Sequence, residues 1–261
     1  MPRDTDPITD SVWMRPVRAR RGRPQLSREE IVTAAVELLD AEGLDGLSMR
    51  RLGATIGAGA TSLYFYVANK DELLELAIDE IMGEVVGPDA AEVGWRVAAG
   101  SYARGMRSMI LRHPWAIGIF GVKPNIGPNA MRVSDGTIGV LTAAGFTGQE
   151  ISWASSLLMS HAIGTAVTGA ATRTMTAETG QNANYMIDKM EPYIQRIAAD
   201  HPNLSAWWLE NKDVDLEKSQ EDGFDFGLER LLDGLEAWLA RRSTHTQRSI
   251  SAEHQDLPDT P

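Results

Sequence analysis

The chain has 261 residues, 43% of them apolar, with a formal net charge of -11 and no cysteine, enough for one large domain or two small ones. The absence of cysteine excludes a disulfide scaffold, a zinc ribbon, a thiolate cluster and a cysteine nucleophile, and it fits a reducing cytoplasmic setting. No apolar run approaches the roughly 18 residues of a membrane span, and residues 1–14 carry Asp4, Asp6 and Asp10 with no apolar stretch, so no secretory leader is expected.

Charge is unevenly placed. Residues 1–70 hold 10 Lys+Arg against 9 Asp+Glu, whereas residues 71–261 hold 15 against 27. Within the first block, Arg15, Arg18, Arg20, Arg21 and Arg23 crowd a nine-residue window, RPVRARRGR. A basic arm on an acidic protein is a candidate nucleic-acid contact, because arginine pairs with phosphate and enters narrow minor grooves. Residues 1–23 are therefore read as a flexible basic arm.

From there the pattern is helical. Ser27-Arg28-Glu29-Glu30 has the form of a capping box ahead of Ile31, Ala34, Ala35, Leu38 and Leu39, with Gly43 as the stop. Ser48 caps a short helix carrying Met49, Leu52 and Ile56, and Gly57-Ala58-Gly59 breaks it. A third helix is expected over 60–66 and a fourth from Asn69 to Gly87-Pro88. Further helices are expected over 94–112, 114–120, 127–144, 149–171, 183–200 and 222–242, with 172–182 as a polar break and 201–221 indistinct. No alternating strand, hairpin signal or repeat stands out, and residues 243–261 are polar and end in proline, as a disordered tail would. The predicted fold is all-α: a helix-turn-helix unit over 24–70 and a helical domain over 71–242.

Residues 48–66 fit a helix-turn-helix, in which the second helix enters the major groove. Thr61, Ser62, Tyr64 and Tyr66 offer hydroxyls to phosphates or base edges, while Leu63 and Val67 are spaced to face a core. GAGATS at 57–62 is a weak phosphate-loop signal, because no strand precedes it and no Lys-Ser/Thr pair completes it. Residues 26–82, LSREEIVTAAVELLDAEGLDGLSMRRLGATIGAGATSLYFYVANKDELLELAIDEIM, resemble the DNA-binding domain of the tetracycline-repressor (TetR) family. Leu52, Gly53, Ile56, Gly57, Leu63, Tyr64, Phe65, Asn69, Lys70, Leu73 and Leu74 carry the resemblance in order. It implies DNA contacts from Arg50 and from Ala60, Thr61, Ser62, Tyr64, Phe65 and Tyr66, with Lys70 reaching a phosphate; Arg18, Arg20, Arg21 and Arg23 of the arm join them as candidates. Ala60 and Tyr66 stand where the family has a polar reader and commonly a histidine, so the operator sequence does not transfer.

The resemblance extends more loosely to about residue 242, as a ligand-binding and dimerisation domain. Phe224, Leu228, Leu231, Leu235 and Trp238 lie 4, 3, 4 and 3 residues apart, an apolar seam or an ordinary core face. With the small residues Ser155, Ala162, Thr165 and Gly169, that seam is expected to form a four-helix homodimer interface. Met106, Met109, Trp115, Phe120, Met131, Trp153 and Met159 are candidates to line an adaptable apolar pocket, with Tyr102, Thr137 and His161 as polar anchors. A gapless register from Trp95 puts Phe120 where the tetracycline repressors hold a magnesium-ligating histidine, and Tyr102 where they hold a drug-anchoring asparagine. No metal or other cofactor is therefore expected, and the inducer is predicted to be a small apolar or aromatic molecule.

The resemblance implies a DNA-binding regulator, by the family's usual mode a repressor, released from double-stranded, palindromic operator DNA by that ligand, with activation left open. A regulator answering to a protein partner, or to no effector, is the alternative. An all-α enzyme is disfavoured: the five histidines are scattered and no HExxH, GxSxG or Walker loop is present.

Overall fold

A computed structural model describes residues 11–14, 26–122 and 125–255. Arg18, Arg20, Arg21 and Arg23, on which the expected arm contacts fall, lie outside these. Among the described residues the architecture is all helix, with no strand. The reading unit comprises α1 (Arg28–Gly46), α2 (Met49–Thr55), α3 (Ala60–Leu63) and α4 (Lys70–Met82). The body comprises α5 (Ala90–Val93), α6 (Trp95–Arg112), α7 (Pro128–Ala144), α8 (Gln149–Thr179), α9 (Ala183–Ala198), α10 (Pro202–Asn211) and α11 (Leu216–Gln255). A 3-10 turn, Pro114–Gly118, follows α6, and another, Val12–Met14, precedes α1.

Local chemistry sets the starts. Ser27 Oγ accepts the Glu30 N–H at 3.0 Å while the Glu30 carboxylate accepts the Ser27 N–H at 2.6 Å, completing the capping box. Ser48 caps α2 through the Arg51 N–H at 3.2 Å, and Asn69 caps α4 through the Glu72 N–H at 2.8 Å. Gly53 is obligatory: a Cβ there would lie 2.7 Å from the Ala58 carbonyl oxygen, so any side chain would push α2 off the turn. Leu52, Leu63 and Val67 bury fully behind the turn, as their spacing predicts.

Several boundaries differ from expectation. α3 closes at Leu63 rather than 66, because the Phe65 and Tyr66 N–H groups take i–3 partners, Ser62 and Leu63 carbonyls, in a tighter turn. α4 ends at Met82, short of Gly87-Pro88, where the Gly83, Glu84 and Val85 N–H groups likewise bond three residues back. α8 runs to Thr179, through the stretch expected to break it; Thr172 and Thr179 hydroxyls bond back to carbonyls four residues earlier, and no glycine or proline intervenes before Gly180. The expected tail at 243–261 is helical as far as Gln255, since no breaker occurs before Pro258.

α6 packs along α8 and against α7, α11 packs along α8, and α1 packs on α4. One apolar core runs continuously from Ile31 and Leu39 through Ile81 to Met109, Leu141, Ala162 and Leu228.

Candidate nucleic-acid interface and its coupling to the body

The reading face is built on a short, firmly seated helix. Leu63 is wholly buried, yet the next two residues project outward: Tyr64 is 53% exposed and Phe65 83%. Large aromatics left in water are informative, since folding gains by burying them. Thr61 and Ser62 are exposed beside them, and Ala60 and Tyr66 are half-buried. On α2, Arg51 is taken by Glu42 at 2.6 Å, whereas Arg50 is exposed and makes no hydrogen bond or ion pair among the described residues. The two neighbouring arginines are thus divided between a structural pair and an available fork. Lys70 donates to the Leu44 carbonyl at 2.8 Å, closing the last turn of α1 beyond the bend at Gly43 (φ 68°). Its ammonium already has that structural duty beside the phosphate contact the resemblance implies.

The pocket candidates separate into three groups. Met106, Met109 and Trp115 are core residues, and the Trp115 indole N–H donates to Asp40 of α1 at 2.7 Å. Met131 and Trp153 are corrected: they are surface residues, Trp153 being 64% exposed, because each lies on the outward side of its helix. Tyr102, Phe120, Thr137, Met159 and His161 are half-buried. Tyr102 is wedged where glycines make room, against Gly87 and Gly136, and the Thr137 hydroxyl bonds to the Val133 carbonyl of its own helix at 2.9 Å. His161 belongs to a helix contact: its ring stacks on Phe224 at 5.3 Å and its Nε2 lies 2.9 Å from the Phe224 carbonyl oxygen. Arg107 covers the Phe224 ring at 4.7 Å, and burial pushes its guanidinium below the ordinary arginine pKa, with Glu221 pulling the other way. A cleft of about 440 Å³ opens elsewhere, between α1, α4 and α7, lined in part by Thr33, Glu37, Glu80, Glu84 and Asn129. None of the ten predicted residues lines it.

The dimer candidates need a similar correction. Ala162, Gly169, Phe224, Leu228 and Leu235 are buried within one chain, because the apolar seam of α11 is spent on α8 and α6. Ser155, Thr165 and Leu231 are half-buried. Trp238 is exposed and donates to Glu150 at 3.2 Å. The outward stripe of α8 instead presents Trp153, Leu157 and Val167, and α11 presents Phe226.

A polar junction that periodicity did not signal joins the two units. Buried His113 lies between two carboxylates, with Nδ1 2.7 Å from Asp40 of α1 and Nε2 2.9 Å from Glu84 beyond α4. Burial pushes the Glu84 carboxyl up, but hydrogen bonds from Arg112 and His113 and their charges hold it below its ordinary value. The helices α4 and α7 cap each other. Buried Asp79 accepts the Ala130 N–H at 2.9 Å and the Asn129 N–H at 3.3 Å, while Arg132 donates to the Gly83 and Val85 carbonyls at 3.1 and 3.2 Å. In the sequence His113-Pro114 reads only as a helix break, and Asp79 as one more acid on an amphipathic helix. No local pattern announces a bond between residues 50 positions apart.

A seated helix-turn-helix with outward aromatics, joined by buried polar bonds to a larger helical body, defines a DNA-binding regulator. Comparison with known proteins agrees. Residues 31–77 match the family of bacterial regulatory proteins, tetR family, and residues 87–239 match the tetracyclin repressor-like C-terminal domain. The chain is 33% identical over 235 residues to the HTH-type transcriptional repressor DrrR1 of Streptomyces coeruleorubidus, covering 88% of this chain and 85% of that one. It is 40% identical over 154 residues to an HTH-type transcriptional regulator of Saccharopolyspora erythraea, covering 59% of this chain and 65% of that one, just under two thirds of its length. Among solved structures, ActR of Streptomyces coelicolor in complex with actinorhodin superposes with a TM-score of 0.68 at 29% identity, over 83% of this chain and 99% of that one. The chain belongs to the TetR family and is a helix-turn-helix transcriptional repressor.

Proposed function

We propose that this repressor acts as a homodimer on a palindromic operator and is released by a small, largely apolar or aromatic ligand. The observation that carries the DNA reading is the adjacent pair Tyr64 and Phe65, outward from a helix whose next-door Leu63 is fully buried. Arg50 is the candidate guanine reader, since its planar fork matches the two acceptors on that base's major-groove edge. Two copies meeting through the outward stripes of α8 and α11 would set recognition helices about one DNA turn, roughly 34–36 Å, apart. The likeness to ActR with its bound actinorhodin supports a small-molecule effector. Phe120 and Tyr102, at the positions of the metal-ligating and drug-anchoring residues, argue against a metal chelate; strict magnesium dependence of release would contradict this.

The junction suggests the route of control. A ligand favouring a different placement of α7 would pull on Asp79 and so on α4, which follows the reading helix directly. Only a difference in ligand affinity between the two states moves the equilibrium, and a coupling of about 1–3 kcal/mol is typical. The test is a titration against a duplex selected by the protein from a random pool, with a scrambled duplex as control. Two subunits or more per palindromic site are expected. Arg50→Ala should weaken binding about 10- to 100-fold and relax preference at one position per half-site. Equal, weak binding to both duplexes would defeat the reading.

A further inference from the structure

We propose that Arg107 of α6 anchors a site for an organic carboxylate, set between α6, α8 and α11 of one chain. Arg96, Arg104 and Arg112 of the same helix each hold a carboxylate, of Glu229 and Asp233, of Asp225 and of Glu84. Arg107 holds none. It is half-buried, its Nε is shut off from solvent, and among the described residues its guanidinium makes no hydrogen bond or ion pair. The flat face of the group lies over the Phe224 ring at 4.7 Å. Stacking engages that face alone; the N–H groups point outward in the plane of the fork and still call for oxygens. A buried cationic donor without an acceptor is costly, and buried polar groups are nearly always bonded. The neighbouring charges do not meet the demand. Asp225 is committed, one of its oxygens accepting Arg104 Nε and Nη2 at 3.1 and 3.0 Å. Glu221 attracts the guanidinium from an exposed position without bonding it, and Arg173 repels it.

The surroundings set the class of ligand. α8 carries no side chain at Gly169, and the point a Cβ would occupy there lies 4.0 Å from Arg107 Nη2 and 3.0 Å from Leu111 Cδ2. The fork thus opens beside a leucine methyl and a phenylalanine ring, which suits an anion with an apolar body. Two parallel N–H groups match the two oxygens of a carboxylate, and an inorganic ion gains nothing from the apolar walls. A charge kept unpaired at a cost in stability is the pattern of a group reserved for a ligand. The inference goes beyond the operator and its release, because it concerns binding by the chain alone.

The test uses the full-length protein, Arg107→Met, which keeps an apolar stem over Phe224, and Arg107→Lys, which keeps the charge and loses the fork. Melting temperatures are followed at constant ionic strength against rising benzoate, with benzamide as the uncharged probe and inorganic phosphate as the inorganic one. No DNA is present, so a failure of the operator reading would leave the result standing. Benzoate should raise the midpoint of the parent protein to saturation, and benzamide and phosphate should not. Arg107→Met should bind benzoate at least about tenfold more weakly, with Arg107→Lys in between. Without ligand, Arg107→Met should melt as high as the parent protein or about 2–4 °C higher, because an unpaired charge is gone. No saturable benzoate shift, or an equal one in Arg107→Met, overturns the site. A phosphate shift as large as benzoate's overturns the carboxylate class. If Arg107→Met melts below the parent protein without ligand, the guanidinium has a structural partner, Glu221 or a second copy of the chain, and the proposal falls.

Discussion

Two ionic regions of this molecule look alike as lists of pairs and differ in physics. At the junction of α1, α4, α6 and α7, Asp40, Asp79, Glu84 and His113 are buried or partly so, and each bond crosses between helices of different units. Along the body, Arg96 meets Glu229 and Asp233 of α11 at 2.6 Å, and Arg104 meets Asp225 at 3.0 Å, mostly in water. The second region includes two contacts, at 2.6 Å, that are shorter than any His113 or Asp79 makes. It should nevertheless matter less, because exposed pairs are screened and gain little over their hydrated states, whereas a buried group left without its partner keeps its full desolvation cost. Burial decides the ranking more than distance does.

That contrast can be broken by experiment. The largest effect is expected from His113→Ala, which takes one partner each from Asp40 and Glu84 and removes a buried ring; a loss of about 2–3 kcal/mol in denaturant unfolding follows from the cost of opening a partly buried pair. A loss too small to measure would put the junction on the same footing as the surface pairs. Asp79→Ala should cost about 1–2 kcal/mol, as the loss of a helix cap does, and should persist in high salt because its donors are backbone N–H groups.

Acid gives a third, smaller handle. The folded Glu84 carboxyl sits below its ordinary 4.5, so the stability it adds is complete above that value and is lost as the pH falls through the depressed folded value. The unfolding midpoint should therefore drop as the pH is taken below about 4.5, and the drop should flatten in Glu84→Gln. The smallest change belongs to Arg96→Ala. Its guanidinium pKa is raised by hydrogen bonds to Glu229 and Asp233, yet the pairs are exposed, and the variant should melt close to the parent protein, with any difference vanishing in 1 M salt. A large, salt-resistant loss there would reverse the comparison.

What the amino-acid sequence determined by itself was whatever is written locally. The Ser27 capping box, the Ser48 and Asn69 caps, the glycine turn, and Leu63 and Val67 as core residues are all features of neighbouring positions, and all are present in the fold. That Tyr64 and Phe65 face outward was implied by the family resemblance and not by local spacing, and the fold leaves both exposed. Only the tertiary structure decided which of two apolar faces is spent within the chain. Period 3.5 on α11 reports a buried stripe without saying what buries it, and here Phe224, Leu228 and Leu235 bury against the chain's own helices. The same holds for Trp153 on the surface, for His161 stacked on Phe224, and for the pairing of Asp79 with α7. Local spacing fixes what a segment can form; which partner satisfies a buried polar group is a matter of three-dimensional contact between residues far apart in the chain.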